Sequence, residues 1–166
     1  MLIPVQKIAA IAAAALRDED VTGDDASGME LDGFHVAQGH NAGVEGELLA
    51  FIDDMAQAYA QAGISNPFKE IDLAQVHDCF TMTELLAYED LGLSEKGAAK
   101  EHIAAGTFAL GGELPVNTDG GLKTFGHPTG ATGVRMVYEN YKQLQGKAGA
   151  RQVKNASVAL SHNLGG

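Results

Sequence analysis

An α/β layer with a partly parallel sheet is the fold class that the 166 residues predict, and three observations carry it. Short apolar runs alternate with segments whose apolar residues recur at helical spacing, in the order strand, helix, strand, helix, helix, helix, strand. Hydrophobic residues make up 45% of the chain, enough for one sizeable core at a length too short to promise two. Turns rich in glycine and proline sit where strands meet helices, the places at which open α/β sheets carry their working groups.

The elements follow in order. Residues 4–16 are apolar on every face and read as a buried strand running into an alanine-rich stretch, where periodicity alone does not separate strand from helix. Residues 8–16, after Lys7, have the look of a signal-peptide core, but a single lysine and a proline before them make a poor leader. Residues 17–43 are acidic and glycine-rich and read as loop. Asp18, Asp20, Asp24 and Asp25 lack the spacing and the closing glutamate of an EF-hand, so a solvated loop is expected there. Over 46–62, Leu48, Ile52, Met55, Tyr59 and Ala62 recur at helical spacing, with Asp53 and Asp54 on the outer face and Gly63 as the stop. Residues 71–80 read as a strand ending in His77-Asp78-Cys79-Phe80. Thr81 and Glu84 have capping-box spacing, which predicts a helix from there to Gly92. Ser94 is placed to cap a further helix that ends at Gly106. Residues 107–128 read as loop. Pro128 in a first helical position, followed by Val134, Val137, Tyr138, Tyr141 and Leu144, predicts an amphipathic helix stopping near Gly146. A last strand is expected over 155–160, leading into Ser161-His162-Asn163-Leu164-Gly165-Gly166.

Charge excludes one class of function. The formal net charge is -11, from 22 acidic and 11 basic residues, and the basic ones are scattered, so no stripe exists to track a nucleic-acid backbone. An anionic ligand must then be held by local groups. No run approaches the roughly 20 apolar residues that span a bilayer. The single cysteine, Cys79, forms no internal disulfide and suits a reducing compartment, so a cytoplasmic location is expected.

Three of the six histidines fall at predicted junctions: His77 after a strand, His127 before a helix and His162 after the last strand. One such residue is best read as a loop histidine satisfied by hydrogen bonds. Three of them in glycine-rich or capped junctions point to proton chemistry. A zinc site built from His77, Cys79, His127 and His162 lacks any Cys-x-x-Cys or His-Glu-x-x-His spacing, and no metal is expected. A phosphate cradle on Gly126, Gly130 and Gly133 fits neither the dinucleotide fingerprint nor a Walker loop. The nucleophile elbow of a serine hydrolase is missing.

Four motifs, in this order, complete the picture. His77-Asp78-Cys79-Phe80, Asn117-Thr118-Asp119-Gly120-Gly121, Gly126-His127-Pro128-Thr129-Gly130-Ala131-Thr132-Gly133 and His162-Asn163-Leu164-Gly165-Gly166 together resemble the C-terminal half of thiolases, in particular the sterol-carrier-protein-like and archaeal-type acetyl-CoA acetyltransferase branch. The resemblance runs from about residue 44 to Gly166 and is weak over the first 43 residues.

What it implies is an α/β, thiolase-like C-terminal domain over 1–166, with a mixed, partly parallel sheet, helices on both faces and a further core strand expected beyond Gly166. Thiolases exchange acyl groups between carbon and coenzyme A through a cysteine thioester. On that resemblance His127 takes the nucleophile's proton and donates to a thioester oxygen. His77 stands where degradative thiolases have the asparagine that helps hold an oxyanion-hole water, and inherits that role. His162 occupies the position of the cysteine that moves the substrate α-proton. Asn117, Gly120, Gly126, Gly130 and Gly165 are the expected substrate, coenzyme A and oxyanion contacts, with a plain turn as the competing reading for Asn117 to Gly121. Cys79 reads as packing.

The resemblance also implies a missing piece. A complete thiolase has two similar halves, with the nucleophilic cysteine in the first, and no residue of this chain replaces it. The chain is therefore expected to be a fragment or one subunit of a split enzyme, inactive alone. Its expected partners are acyl-CoA as substrate and the N-terminal thiolase half, in a homo-oligomer, with no permanently bound cofactor. Two alternatives remain from other classes: a thiolase-fold retro-aldolase acting on steroid side-chain CoA esters, and a non-catalytic acyl-CoA-binding scaffold in lipid metabolism.

Overall fold

The computed structural model describes residues 7–13, 34–38 and 55–164, the first two segments by their backbone alone. Of the helix expected over 46–62, residues 46–54 lie outside the described residues, as do the glycines at 165 and 166. Four strands, β1 (Lys7–Ala13), β2 (Phe34–Gln38), β3 (Leu73–Gln75) and β4 (Val158–Leu164), form one sheet in the order β2-β1-β4-β3. Every pairing among the described strands is parallel, with Ile11 opposite His162 and Gln75 opposite Ser161. Residues 55–62 form helix α1, followed by α2 (Pro67–Glu70), α3 (Thr81–Asp90), α4 (Ala99–Ala105), α5 (Gly121–Phe125) and α6 (Thr132–Leu144). None of the described helices is long and apolar enough to cross a membrane.

The sheet is covered on both faces, and strand alternation shows how. Ala74 and Leu160 point into a core with Ala58, Tyr59 and Ala62 of α1, Tyr88 and Leu91 at α3, and Phe108. The Tyr59 hydroxyl donates to the Leu91 carbonyl at 2.7 Å, which ties α1 to the end of α3. Leu73 and Ala159, one residue out of phase, pack with Leu144 of α6 on the opposite face.

Beneath α6 the chain buries charge. Glu139 is 2% exposed and accepts from Arg151 Nε at 2.9 Å and Nη2 at 2.8 Å, with further bonds from Gln143 and Thr118. Burial pushes its carboxyl up, but the bonds from Arg151, Gln143 and Thr118 together outweigh it and hold the group below the ordinary carboxylate range. Replacing Arg151 by methionine strands that carboxylate, so denaturant unfolding should report a loss of about 3 kcal/mol. A change under about 1 kcal/mol would mean that Gln143 and Thr118 suffice.

Several expected boundaries move. β2 lies inside a segment read as loop, because the acidic and glycine-rich residues around Phe34–Gln38 mask a five-residue strand. The strand expected over 71–80 is hydrogen-bonded in the sheet only at Leu73–Gln75. The capping box does not form. Thr81 is already helical, Phe80 is the N-cap residue, and the Glu84 N–H bonds to the Phe80 carbonyl. The Glu84 carboxylate turns instead to the Tyr88 hydroxyl, 2.7 Å away. Ser94 hydrogen-bonds to the Glu95 carbonyl, and α4 starts later, at Ala99. The stop at Gly106 is as expected, with φ 77° in the left-handed region. Residues 107–128, read as loop, contain α5. α6 begins at Thr132, with the Pro128 carbonyl accepting the N–H groups of Ala131 and Thr132 in the turn before it.

The last correction bears on the site. β4 continues past residue 160 to Leu164, so His162 lies within a strand rather than after it. Polar Ser161, His162 and Asn163 read as loop in isolation. They extend the strand because β1 pairs with all three, and a buried partner meets the first side chain: Asn140 Nδ2 lies 2.9 Å from Ser161 Oγ.

Candidate active site

The segment after β3 and the turn between α5 and α6 bring two histidines to one cavity of about 840 Å³. Its lining includes His77, Cys79, Phe80, Lys123, His127 and Leu164. The two imidazoles meet edge to face, with centroids 4.8 Å apart and planes at 81°. A smaller cavity of about 460 Å³ lies at the opposite end of the strands, beside Asp72 and Val153, and holds no histidine.

His127 is exposed at the cavity rim, and its ring is fixed from one side. Thr132, the first residue of α6 and 1% exposed, has its hydroxyl 2.8 Å from His127 Nδ1 and 3.2 Å from the Pro128 carbonyl. A hydroxyl has one proton to donate, and the Pro128 carbonyl and a bare Nδ1 both accept. When that proton goes to Pro128, His127 Nδ1 carries the hydrogen that the hydroxyl accepts, and Nε2 of the neutral ring keeps a free lone pair, the state required of a general base.

His77 follows β3 by two residues and is 3% exposed. Its Nδ1 lies 3.0 Å from Oδ1 of Asn163, on the neighbouring strand β4. Next to it, Asp78 reaches across to α5, where both carboxylate oxygens accept the Leu122 N–H at 2.9 and 3.2 Å. Gly121 comes so close that a β-carbon there would sit 2.2 Å from Asp78 Oδ2. Since α5 leads straight through Gly126 to His127, Asp78 links the loop carrying one histidine to the loop carrying the other.

The remaining expected contacts divide. Asn117 adopts φ 48°, its Oδ1 accepts the Val76 N–H at 3.0 Å, and its Nδ2 lies 3.5 Å from Glu84. Its amide is thus engaged in holding the chain beyond β3. A side chain on Gly120 would strike Thr124, so the close approaches at Gly120 and Gly121 are to groups of this chain. Gly126 and Gly130 are exposed with open space around them, and Gly126 has φ 74°. Gly165 lies outside the described residues.

His162 does not line the cavity. It is 2% exposed within β4. Burial, and secondarily the neighbouring His77, push its imidazole down to about 4 against an upward pull from Asp90, so it is neutral at neutral pH. Unfolding frees it to take a proton at about 6.5. Between those values the unfolded chain binds a proton that the folded chain does not, so stability falls as pH falls through this window, by on the order of 3 kcal/mol. His162→Gln should flatten the loss between pH 6.5 and 4; an unchanged slope would show that other groups carry it. The four residues weighed as a zinc set do not converge: among the described residues no group of three or more His, Cys, Asp or Glu is placed to hold a metal ion.

Three residues that the sequence reading passed over, Asp78, Thr132 and Asn163, hold the two cavity histidines in place. Each stands inside a motif already noted, and proximity in sequence was the only signal available for them.

A doubly covered parallel sheet with a histidine pair at its strand carboxyl ends defines an α/β domain equipped for acid and base chemistry. The family model for the thiolase C-terminal domain-like family matches residues 45–166, and the chain belongs to that family. It is 48% identical over 97 residues to an acetyl-CoA acetyltransferase of Methanothermobacter thermautotrophicus, a match covering 58% of this chain and 25% of that protein. It is 44% identical over 109 residues to sterol carrier protein 2 of Homo sapiens, covering 66% of this chain and 20% of that one. Among solved structures it resembles an Ltp2-ChsH2(DUF35) aldolase at a TM-score of 0.56 and 30% identity, over 69% of this chain and 28% of the other. The matched part is thus between a fifth and about a quarter of the length of each relative.

Proposed function

We propose that this chain supplies the acid/base half of an acyl-CoA C-acyltransferase, working with a companion thiolase half that carries the nucleophilic cysteine. The reaction is thiolysis of 3-ketoacyl-CoA, or its reverse, condensation of two acyl-CoA units. His127 Nε2 takes the proton of the companion cysteine, and the thiolate adds to the 3-keto carbon. The bond between C2 and C3 then breaks, leaving the acyl group on sulfur and the electron pair on an acetyl-CoA enolate. The enolate takes up the proton that His127 gained, relayed through His162, and both imidazoles end neutral. Coenzyme A thiol then gives its proton to His127 and attacks the thioester, and the cysteine leaves as a thiolate and takes that proton back. His77 holds a water by accepting one of its hydrogens at Nε2, and the other hydrogen of that water meets the oxyanion. Gly126, Gly130 and Gly165 line the path assigned to the coenzyme, and the working enzyme is a cytoplasmic homo-oligomer.

The observation that supports this reading most strongly is the His77 and His127 pair at one cavity, with each Nδ1 engaged by a neighbouring side chain. The test is acetoacetyl-CoA thiolysis by this chain alone and by the chain combined with a companion half. Activity is expected only in the combination. A folded, associated pair that cleaves nothing would overturn the assignment.

The likeness to an Ltp2-ChsH2(DUF35) aldolase favours a second reading, retro-aldol cleavage of steroid side-chain CoA esters by the same histidines. That chemistry needs no acyl-accepting cysteine. Replacing the companion cysteine by alanine separates the two, since thiolysis is then lost and aldol cleavage kept.

A further inference from the structure

We propose that Asn163 is the positioning residue that sets the tautomer of His77. The role assigned to His77 above depends on which ring nitrogen carries the hydrogen, and nothing in His77's own loop decides that. The decision comes from the neighbouring strand. Asn163 lies in β4, where its backbone is paired with Ala12 of β1, and its Oδ1 stands 3.0 Å from His77 Nδ1.

The Asn163 amide directs Nδ2 toward Gly133 in the first turn of α6, where a β-carbon would be in ordinary van der Waals contact, 3.4 Å from Nδ2 and 3.5 Å from Cγ. With Nδ2 toward Gly133, Oδ1 faces His77 and can only accept, so the hydrogen of the neutral imidazole belongs on Nδ1. Nε2 is then a lone pair.

This has a chemical consequence for the site. A neutral His77 in this tautomer does not donate to an oxyanion; it accepts a hydrogen from a water, and that water donates onward. When the Thr132 hydroxyl donates to the Pro128 carbonyl, His127 takes the same tautomer, and the two imidazoles, 4.8 Å apart, present two acceptor nitrogens. The kinetic part of the inference rests on the acyltransferase reading; the tautomer does not.

The decisive measurement is nitrogen NMR of the wild-type chain labelled with 15N in histidine, at a pH where His77 is neutral. Correlations from the ring carbon-bound protons should show a protonated Nδ1 and a bare Nε2 for His77. The opposite pattern overturns the proposal without any variant. Asn163→Leu removes the acceptor and should shift His77 to the Nε2-protonated form or a mixture, whereas Asn163→Asp keeps an acceptor in place and should retain the original pattern. Retention of the wild-type pattern in a folded Asn163→Leu chain also overturns it. In the enzyme combined with its companion half, Asn163→Leu should lower kcat by about tenfold, the scale of losing a partner that orients a functional histidine, and Asn163→Asp should restore most of it. Wild-type kcat in Asn163→Leu alongside a shifted tautomer would count against the role given to His77 and leave the positioning intact.

Discussion

Replacing His127 by alanine in the combined enzyme should lower kcat for acetoacetyl-CoA thiolysis by about a hundred- to ten-thousand-fold, the range that a positioned acid or base supplies. The effect should fall on kcat more than on KM, because the imidazole acts on a proton in flight rather than on the resting substrate. The fold should be untouched. His127 is exposed at the rim, and its hydroxyl contact is with Thr132, which also bonds to the Pro128 carbonyl. Thermal unfolding of the variant should therefore match the parent. Thr132→Val gives the complementary result, since it leaves the base present but unanchored, and a smaller loss, about tenfold, is expected. Unchanged thiolysis in His127→Ala would remove the residue from the mechanism.

Gly121→Ala should be strongly destabilising. The residue has φ 59°, a conformation that costs an alanine about 1 kcal/mol, and the new β-carbon would lie 2.2 Å from one oxygen of Asp78 and 2.7 Å from its carboxyl carbon. The carboxylate must move, and with it goes a charge-assisted bond to the Leu122 N–H worth about 1.5–3 kcal/mol. A total near 3 kcal/mol is expected in denaturant unfolding. Asp78 is bonded in sequence to His77, and α5 leads to His127, so the same methyl should also disturb the pair. A double-mutant cycle tests the cause. If the clash is the mechanism, Gly121→Ala combined with Asp78→Ala should cost less than the sum of the single changes. Strict additivity would assign the loss to backbone strain alone.

The helices of this domain were legible in its sequence where they were amphipathic and bounded by glycine. In α6 the helix and its stop were legible, with Gly146 at φ 69°, but its face was not: Val134, Tyr138 and Tyr141, on which the reading rested, lie outward, and Met136 is buried beside Leu144. The end of α4 at Gly106 was legible for the same reason. Helix starts were not, because the Thr81 and Glu84 pattern is a local offer that a better tertiary partner outbids. Tyr88 and Asn117 draw the glutamate away, and no spacing rule along the chain foretells that. The residues alone end β4 at 160, because a run of serine, histidine and asparagine looks like loop until its pairing with β1 is known.

The site shows the same division. His77 and His127 could be singled out from the residues around them, and they do share a cavity. His162 was grouped with them on its apparent junction position, yet the fold buries it in the sheet, where loss of solvent keeps it neutral.

The pattern of residues along the chain was enough to specify an α/β layer, its main helices, its family and the two histidines at the cavity. Those features rest on periodicity, glycine punctuation and motif order, which are properties of neighbours in sequence. The hydrogen on each imidazole, the tie between the two loops and the burial of His162 were settled only when the chain closed. Asn163 stands 86 residues from His77, and Leu122 stands 44 from Asp78. Hydrogen bonds act over about 3 Å, so partners this far apart along the chain determine each other's chemistry only once the parallel sheet and α5 have brought them together.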